Sequence, residues 1–301
     1  MSVVTPVVSP VLTPEVMSSR RPTGALLRSA LGLRRTQIGF GLVLLIVAIA
    51  FIGPLVAPHG ANDFVGTPNT PSVPGALFGT DHIGQDVWSR FLHGGLTILA
   101  LAAAATGLGL TLGVAVGLVA AYSRNVLDDV LMRIMDVILA FPQIMLALVA
   151  IATVGPNPAT IILAVGLTTM PRVARVTRGA AQPVVERDFV AAAEAIGVPR
   201  FRILLSEIFP NVLSPLLVEG SLRLTYAIGV IAALAFLGFT TNPGSADWGL
   251  MIQENYIALT VQPWGVVLPV AAIALLTVGT GLVGDGIARA AAGIDRSRGA
   301  A

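Results

Sequence analysis

The sequence predicts an all-α, polytopic membrane protein with six transmembrane helices. Three observations carry that reading. Apolar residues make up 55% of the 301 and charged residues only 11%, against about a quarter charged in an ordinary soluble domain, so a water-facing globule would lack the polar side chains to cover itself. The charges are gathered between long uncharged runs, and the mean hydropathy is +0.85. All 18 basic residues are Arg, and all but two fall on one of the two sides that six crossings would create.

Residues 1–35 contain Pro6, Pro10, Pro14, Pro22 and five Arg without an apolar stretch of spanning length. They are expected to form a flexible cytoplasmic tail and not a signal peptide. Residues 38–57 supply the roughly 20 apolar residues needed to cross about 30 Å of hydrocarbon and form the first span. Residues 58–93 read as a polar external excursion, so 36–93 is taken as one unit of first helix plus excursion. The second span is 96–122. The uncharged run between Asp136 and Arg172 is broken by Gly155-Pro156-Asn157-Pro158, whose turn chemistry splits it into spans at 137–154 and 159–178. A polar loop at 172–211 leads to span five at 213–239, and span six follows at 264–283. Residues 94–286 thus form a core of five helices, and 287–301 a second cytoplasmic tail. Arg counts on the expected inner segments are five, two, six and three, while the outer segments hold only Arg90. Positive charge is retained on the cytoplasmic side, so both termini are expected to face inward.

Several chemistries are excluded by composition. A phosphate-cradling P-loop needs a Lys, and the sequence contains none. There is no Cys, hence no disulfide, thiolate metal site or cysteine nucleophile. The three His, His59, His82 and His93, all fall in the excursion, away from any buried general-base position. No G-x-S-x-G elbow or H-E-x-x-H helix occurs, and basic stripes suited to nucleic acid are missing. No catalytic, metal-ligating or cofactor-binding residue is assigned. Within the spans, Glu219 and Arg223 stand four residues apart, the spacing at which opposite charges share a helix face. They are taken as a structural ion pair near the cytoplasmic end of span five. Gly109, Gly113 and Gly117 recur every four residues on span two and suit close helix packing. Trp248 and Trp264 are expected at the outer interface, with Asp247 and Glu254 exposed beside them.

The loop between spans four and five is the most informative segment. Ala191 to Ala195 favour a helix, Gly197 suits a helix end that needs positive φ, and Pro199 forbids simple continuation. The expected product is a short helix with a smooth alanine face and a polar rim, able to receive another protein.

Here the sequence resembles the transmembrane permease subunits of bacterial ATP-binding-cassette importers, in the dipeptide and oligopeptide branch. The family's loop pattern, E-A-A, three residues, G, nine residues, I-x-L-P, is matched in register by Ala192-Ala193, Gly197 and Pro210, with Ala191, Glu207 and Phe209 as departures. Gly79-Thr80-Asp81, Gly84, Asp86 and Ser89-Arg90 look like a conserved-type G-T-D-x-x-G-R-D-x-x-S-R segment of the C-type subunit, with Gln85 in place of Arg. Arg133, Asp136, Ala140-Phe141-Pro142, Phe236-Leu237-Gly238-Phe239, Trp248-Gly249, Pro263-Trp264 and Gly284-Asp285-Gly286 extend the match along the chain.

The resemblance implies a type I ABC importer permease fold in the bacterial cytoplasmic membrane. It also implies a second permease subunit, two ATPase subunits that carry ATP and Mg, and an extracytoplasmic binding protein. Asp188, Phe189, Ala192, Ala193, Glu194, Gly197, Arg200 and Pro210 would form the ATPase-coupling loop, with Gly197, Pro199 and Pro210 fixing the ends of the lever. Peptide is the implied cargo. Nickel or glutathione in the same family, or a stand-alone channel or secondary carrier, are the alternatives.

Overall fold

A computed structural model describes residues 28–123, 125–241 and 244–292. The expected tails therefore fall largely outside the described residues, at 1–27 and 293–301. Among the described residues there are helices and three isolated β-bridges but no strand. The helices are α1 (Arg34–Val56), α2 (Val87–His93), α3 (Gly95–Ser123), α4 (Val126–Leu139), α5 (Gln143–Val154), α6 (Pro158–Val185), α7 (Asp188–Ala195), α8 (Phe209–Phe236), α9 (Trp248–Asn255) and α10 (Trp264–Ala292).

Backbone polar groups find no water inside a bilayer, so a spanning segment must satisfy them within its own helix. Five helical stretches are long and apolar enough to do so: α1, α2 with α3, α6, Arg200–Phe236, and α10. The expected span at 137–154 is not one straight helix. It is a bent pair, α4 and α5, meeting at 82°. The physical cause lies at Ala140-Phe141-Pro142, where Pro142 has φ −58° and ψ 129° and starts a new helix, because its ring removes a donor and clashes with the preceding turn. With 12 residues, α5 is about 18 Å long and cannot cross alone. The charges expected in a loop before this span lie instead on α4. Asp128 accepts two bonds from Arg178 of α6, each 2.6 Å long, and Asp136 pairs with Arg175.

Other expected boundaries also move. The polar loop at 172–211 is mostly helix, since α6 continues to Val185 and helical winding resumes at Arg200. Arg172, Arg175 and Arg178 are therefore helical, and Pro171 and Pro183 are accommodated inside α6. Residues Ile203–Ile208 form a π-helical segment ahead of α8. Pro210 has no N–H to return to the carbonyl four residues back, and the chain before it widens so that the Phe209 N–H reaches Leu204 O. Pro210 thus lies inside a continuous helix and does not end the short α7. At the other extreme, α10 continues to Ala292, past the expected limits at 283 and 286.

The bundle is organised around α3 and α6, which pack along most of their lengths. Gly109, Gly113 and Gly117 are buried on the α3 face that meets α6. A methyl built on Gly113 would fall 2.5 Å from Val173 Cβ, and one on Gly117 would fall 2.5 Å from Ala174 O. Helix axes can be this close only where one partner has no side chain. The main core gathers Ile98, Leu101, Ile151, Val165, Ile228 and Leu276, from α3, α5, α6, α8 and α10. Helix α1 packs on α10, where Gly39 meets the Gly279 backbone, and turns Phe40, Leu44, Phe51 and Leu55 outward, as a hydrocarbon-facing surface requires.

Gly113→Leu is expected to force α3 and α6 apart and to cost a few kcal/mol, in line with overpacking penalties of about 1–3 kcal/mol or more. Gly107→Ala, where nothing lies within 4 Å of the new methyl, is expected to cause no loss. Denaturant unfolding of both variants in detergent checks the pair.

Candidate functional site

Two polar regions lie at opposite ends of the bundle. At one end, α7 emerges between α6 and the π-helical segment. Its C-terminus closes as a Schellman motif: the Gly197 N–H bonds Glu194 O and the Val198 N–H bonds Ala193 O, both at 3.0 Å. Gly197 has φ +77°, a conformation that penalises any Cβ. Val190 is buried, and Phe189, Ala193 and Val198 pack beside it on Leu118, Val184, Ile203 and Ile208. This one-sided burial turns the remaining face outward. Ala191, Ala192 and Ala195 are exposed, Ile196 is 80% exposed, and Phe201, just beyond Pro199, is 72% exposed. Arg187, Asp188, Arg200 and Arg202, also exposed, stand around them. The Tyr122 hydroxyl, on the last turn of α3, donates to Glu194 Oε1 at 2.6 Å.

Of the predicted coupling residues, Asp188, Phe189, Ala192, Ala193 and Glu194 lie on α7, Gly197 on the turn that leaves it, and Arg200 where helix resumes. Pro210 is separate, in the first turn of α8. Sequence reading did not single out Tyr122, Ile196 or Phe201. Ile196 and Phe201 carried a signal, since both are large apolar residues set among charges in a segment too polar to cross a membrane. Tyr122 carried none, because its partner is 72 residues away.

At the other end, the excursion is not a loose external loop. It folds back over the starts of α3 and α10 as a cap. Arg90 is 1% exposed, pairs with Asp81 and lies 3.0 Å from Glu254 Oε2. The second Asp81 oxygen accepts the Ile83 and Gln85 N–H groups at 3.0 and 2.8 Å. Asp86 caps α2 and accepts the Ser89 hydroxyl at 2.6 Å. Gln262, fully buried, donates to Phe78 O at 2.7 Å and Thr80 O at 3.2 Å, and Asn255 Oδ1 accepts the His82 N–H at 3.0 Å. The G-T-D and S-R residues are thus the two halves of one polar network.

This arrangement corrects three expectations. Trp248 is not an interfacial anchor: it is fully buried, stacks on Phe91 at 5.5 Å and donates its indole N–H to Phe91 O at 2.8 Å. Trp264 remains partly exposed, its ring 5.0 Å from that of Phe78. Glu254 is occupied by Arg90, and Asp247 is buried as the N-cap of α9, accepting the Gly249 and Leu250 N–H groups at 2.9 and 3.2 Å. Burial pushes the Asp247 carboxyl above the usual range, the two amides oppose this, and the charge of Glu254 adds to it. The predicted Glu219–Arg223 pair forms, with Nε 2.8 Å from Oε1. It sits half-way along the helix Arg200–Phe236 and not near an end, with the Arg223 guanidinium 5.1 Å from the Tyr226 ring centre.

No group of three metal-ligating side chains occurs among the described residues. The geometry offers an exposed apolar face rimmed by charges at one end and a polar cap at the other, joined by apolar helices.

Residues 113–292 match the family described as binding-protein-dependent transport system inner membrane component. The chain belongs to this family. A putative peptide transport system permease protein of Brucella suis biovar 1 is 37% identical over 264 residues, covering 85% of this chain and 87% of the relative. The di/tripeptide transport system permease protein DppC of Pseudomonas aeruginosa is 33% identical over 256 residues, covering 83% and 84%. The glutathione transport system permease protein GsiD of Shigella dysenteriae serotype 1 is 33% identical over 247 residues, covering 81% and 82%. This inner-membrane component therefore has the type I ABC permease fold, and it is a multi-pass transport subunit.

Two outcomes are expected at the cap. Arg90→Met is expected to cost about 3–5 kcal/mol by leaving Asp81 buried without its counter-charge, read as a lowered melting temperature. For Asp247, a folded pKa above the unfolded value means that stability is lost as pH rises through the folded pKa. Asp247→Asn, which keeps an acceptor for the two amides, is expected to melt higher than the parent at neutral pH and equally at a pH below the unfolded carboxylate range.

Proposed function

We propose that this permease imports short peptides, driven by ATP hydrolysed on separate ATPase subunits that dock against α7. The observation that carries the reading is the exposed face of α7 and its following turn. It presents alanines, Ile196 and Phe201 within a ring of charges, at the end of the bundle where most Arg cluster. A protein groove suits such a surface, with apolar side chains at the centre and a polar rim. Nucleotide chemistry is assigned to partners because this chain has no Lys for a phosphate-cradling loop. The positive-inside rule puts α7 and both termini in the cytoplasm and the cap outside, where a binding protein would deliver cargo. A second permease would complete the pathway.

Mechanically, closing of two ATPases on ATP would displace α7. The Schellman end at Gly197 and the buried Val190 keep α7 a rigid unit, so its displacement passes to α6 on one side and to Arg200–Phe236 on the other. Rocking of these helices would alternate access to the pathway. The peptide assignment is supported by the named cargo of the relatives, and glutathione, itself a modified tripeptide, falls in the same chemical class.

The test is co-purification with the ATPases followed by uptake in proteoliposomes. Ile196→Asp is expected to remove the ATPases from the purified complex, because it buries a charge in the docking face. Gly197→Pro is expected to leave the protein inserted and to abolish uptake, since Pro fixes φ near −65° and loses the N–H that Glu194 O accepts. Full uptake by the chain without ATPases, or by either variant, would refute the proposal.

A further inference from the structure

Space surrounds the Tyr122–Glu194 bond on both sides. One cavity of about 510 Å³ is lined by Tyr122, Asn125, Leu127, Glu194, Val198 and Arg200. A second, of about 260 Å³, is lined by Tyr122, Val185, Glu186, Arg187, Ala191 and Glu194. Beside the apolar cluster in which Leu118, Ala121 and Tyr122 of α3 meet Phe189, Val190 and Ala193 of α7, a hydrogen bond crosses this opening. Helix α7 continues covalently into α6 before it and into the π-helical segment and α8 after it. Helix α3 has no such link, being 72 residues away at this bond.

The chemistry of the bond suits a strut. A phenol donating to an ionised carboxylate is a charge-assisted bond, directional and stronger than a neutral one. Apolar contacts, which supply the rest of the seat of α7, are non-directional and allow sliding. The far end of the strut is also fixed. Tyr122 follows Gly117 by little more than one turn, and Gly117 holds α3 against α6 at backbone distance. A rotation of α7 would thus pull on α3 at a point that cannot yield independently of α6.

Resting on the coupling reading above, we propose that Tyr122 and Glu194 form a positioning pair that ties α7 to α3, so that α3 and α6 move with α7 as one block during transport. Neither residue touches cargo or nucleotide in this role. Their function is to keep the stroke of α7 from being lost in the open space beside it.

The pair is tested in the assembled complex, with partner permease, ATPases and binding protein in proteoliposomes, by measuring uptake of a labelled dipeptide and ATP hydrolysis together. Tyr122→Phe is expected to lower peptide moved per ATP by at least about fivefold while ATPase subunits co-purify at parental levels, and Glu194→Ala is expected to lower that ratio as far. Glu194→Gln, whose carbonyl oxygen still accepts from the hydroxyl, is expected to keep at least about half of the parental ratio. The double variant Tyr122→Phe/Glu194→Ala is expected to be no worse than either single one, because one bond is removed in all three. A merely structural role would lower complex yield and leave the ratio unchanged. A parental ratio in Tyr122→Phe, or multiplicative losses in the double variant, overturns the pair. Failure of the coupling reading shows elsewhere, as ATPases that remain bound to Ile196→Asp.

Discussion

The near-contact of α3 and α6 is the constraint on which the rest of the molecule depends. Three glycines one turn apart let the two backbones approach until a single methyl would collide. In lipid the hydrophobic effect gives helices little reason to associate, so close van der Waals packing must do so. Because α3 and α6 form one rigid pair, the neighbours of each acquire fixed positions. Helix α4 is tied to α6 by Asp128–Arg178 and Asp136–Arg175, α5 packs on the same helix, and α8 crosses both.

The two ends of this block solve opposite problems. At the capped end, buried charge meets buried charge: Arg90 faces Asp81 and Glu254, and Gln262 gathers loop carbonyls. Breaking one member would strand another in a dry site, so such a network enforces a single geometry. At the α7 end, burial is one-sided and apolar surface remains exposed around Ile196 and Phe201. One end is closed by the chain's own contacts, and the other keeps large apolar side chains exposed.

The break between α4 and α5 shows how local chemistry shapes the membrane crossing. In a straight helix Asp128 and Asp136 would continue the line of α5. The turn at Pro142 swings α4 away by 82° and lets its carboxylates meet the arginines of α6. The π-helical segment before Pro210 is a related adjustment, in which one missing N–H is absorbed by a wider turn and the helix continues.

The sequence by itself determined the class of protein, the short helix with its Gly197 end, the Glu219–Arg223 spacing and the glycine stripe of span two. These are properties of composition and of residues within a turn or two of each other, where propensity and periodicity act directly. Tertiary structure alone decided that Trp248 and Asp247 are interior residues, that Glu254 pairs with Arg90 at the centre of a cap, and that Tyr122 reaches Glu194. Each depends on segments distant in the chain meeting in space, and hydropathy cannot tell an outward Trp from one stacked on Phe91. The helix ends moved for a related reason. Helix α6 runs past the expected end of span four at 178, and its Arg175 and Arg178 meet carboxylates of α4, partners visible only once the chain is folded.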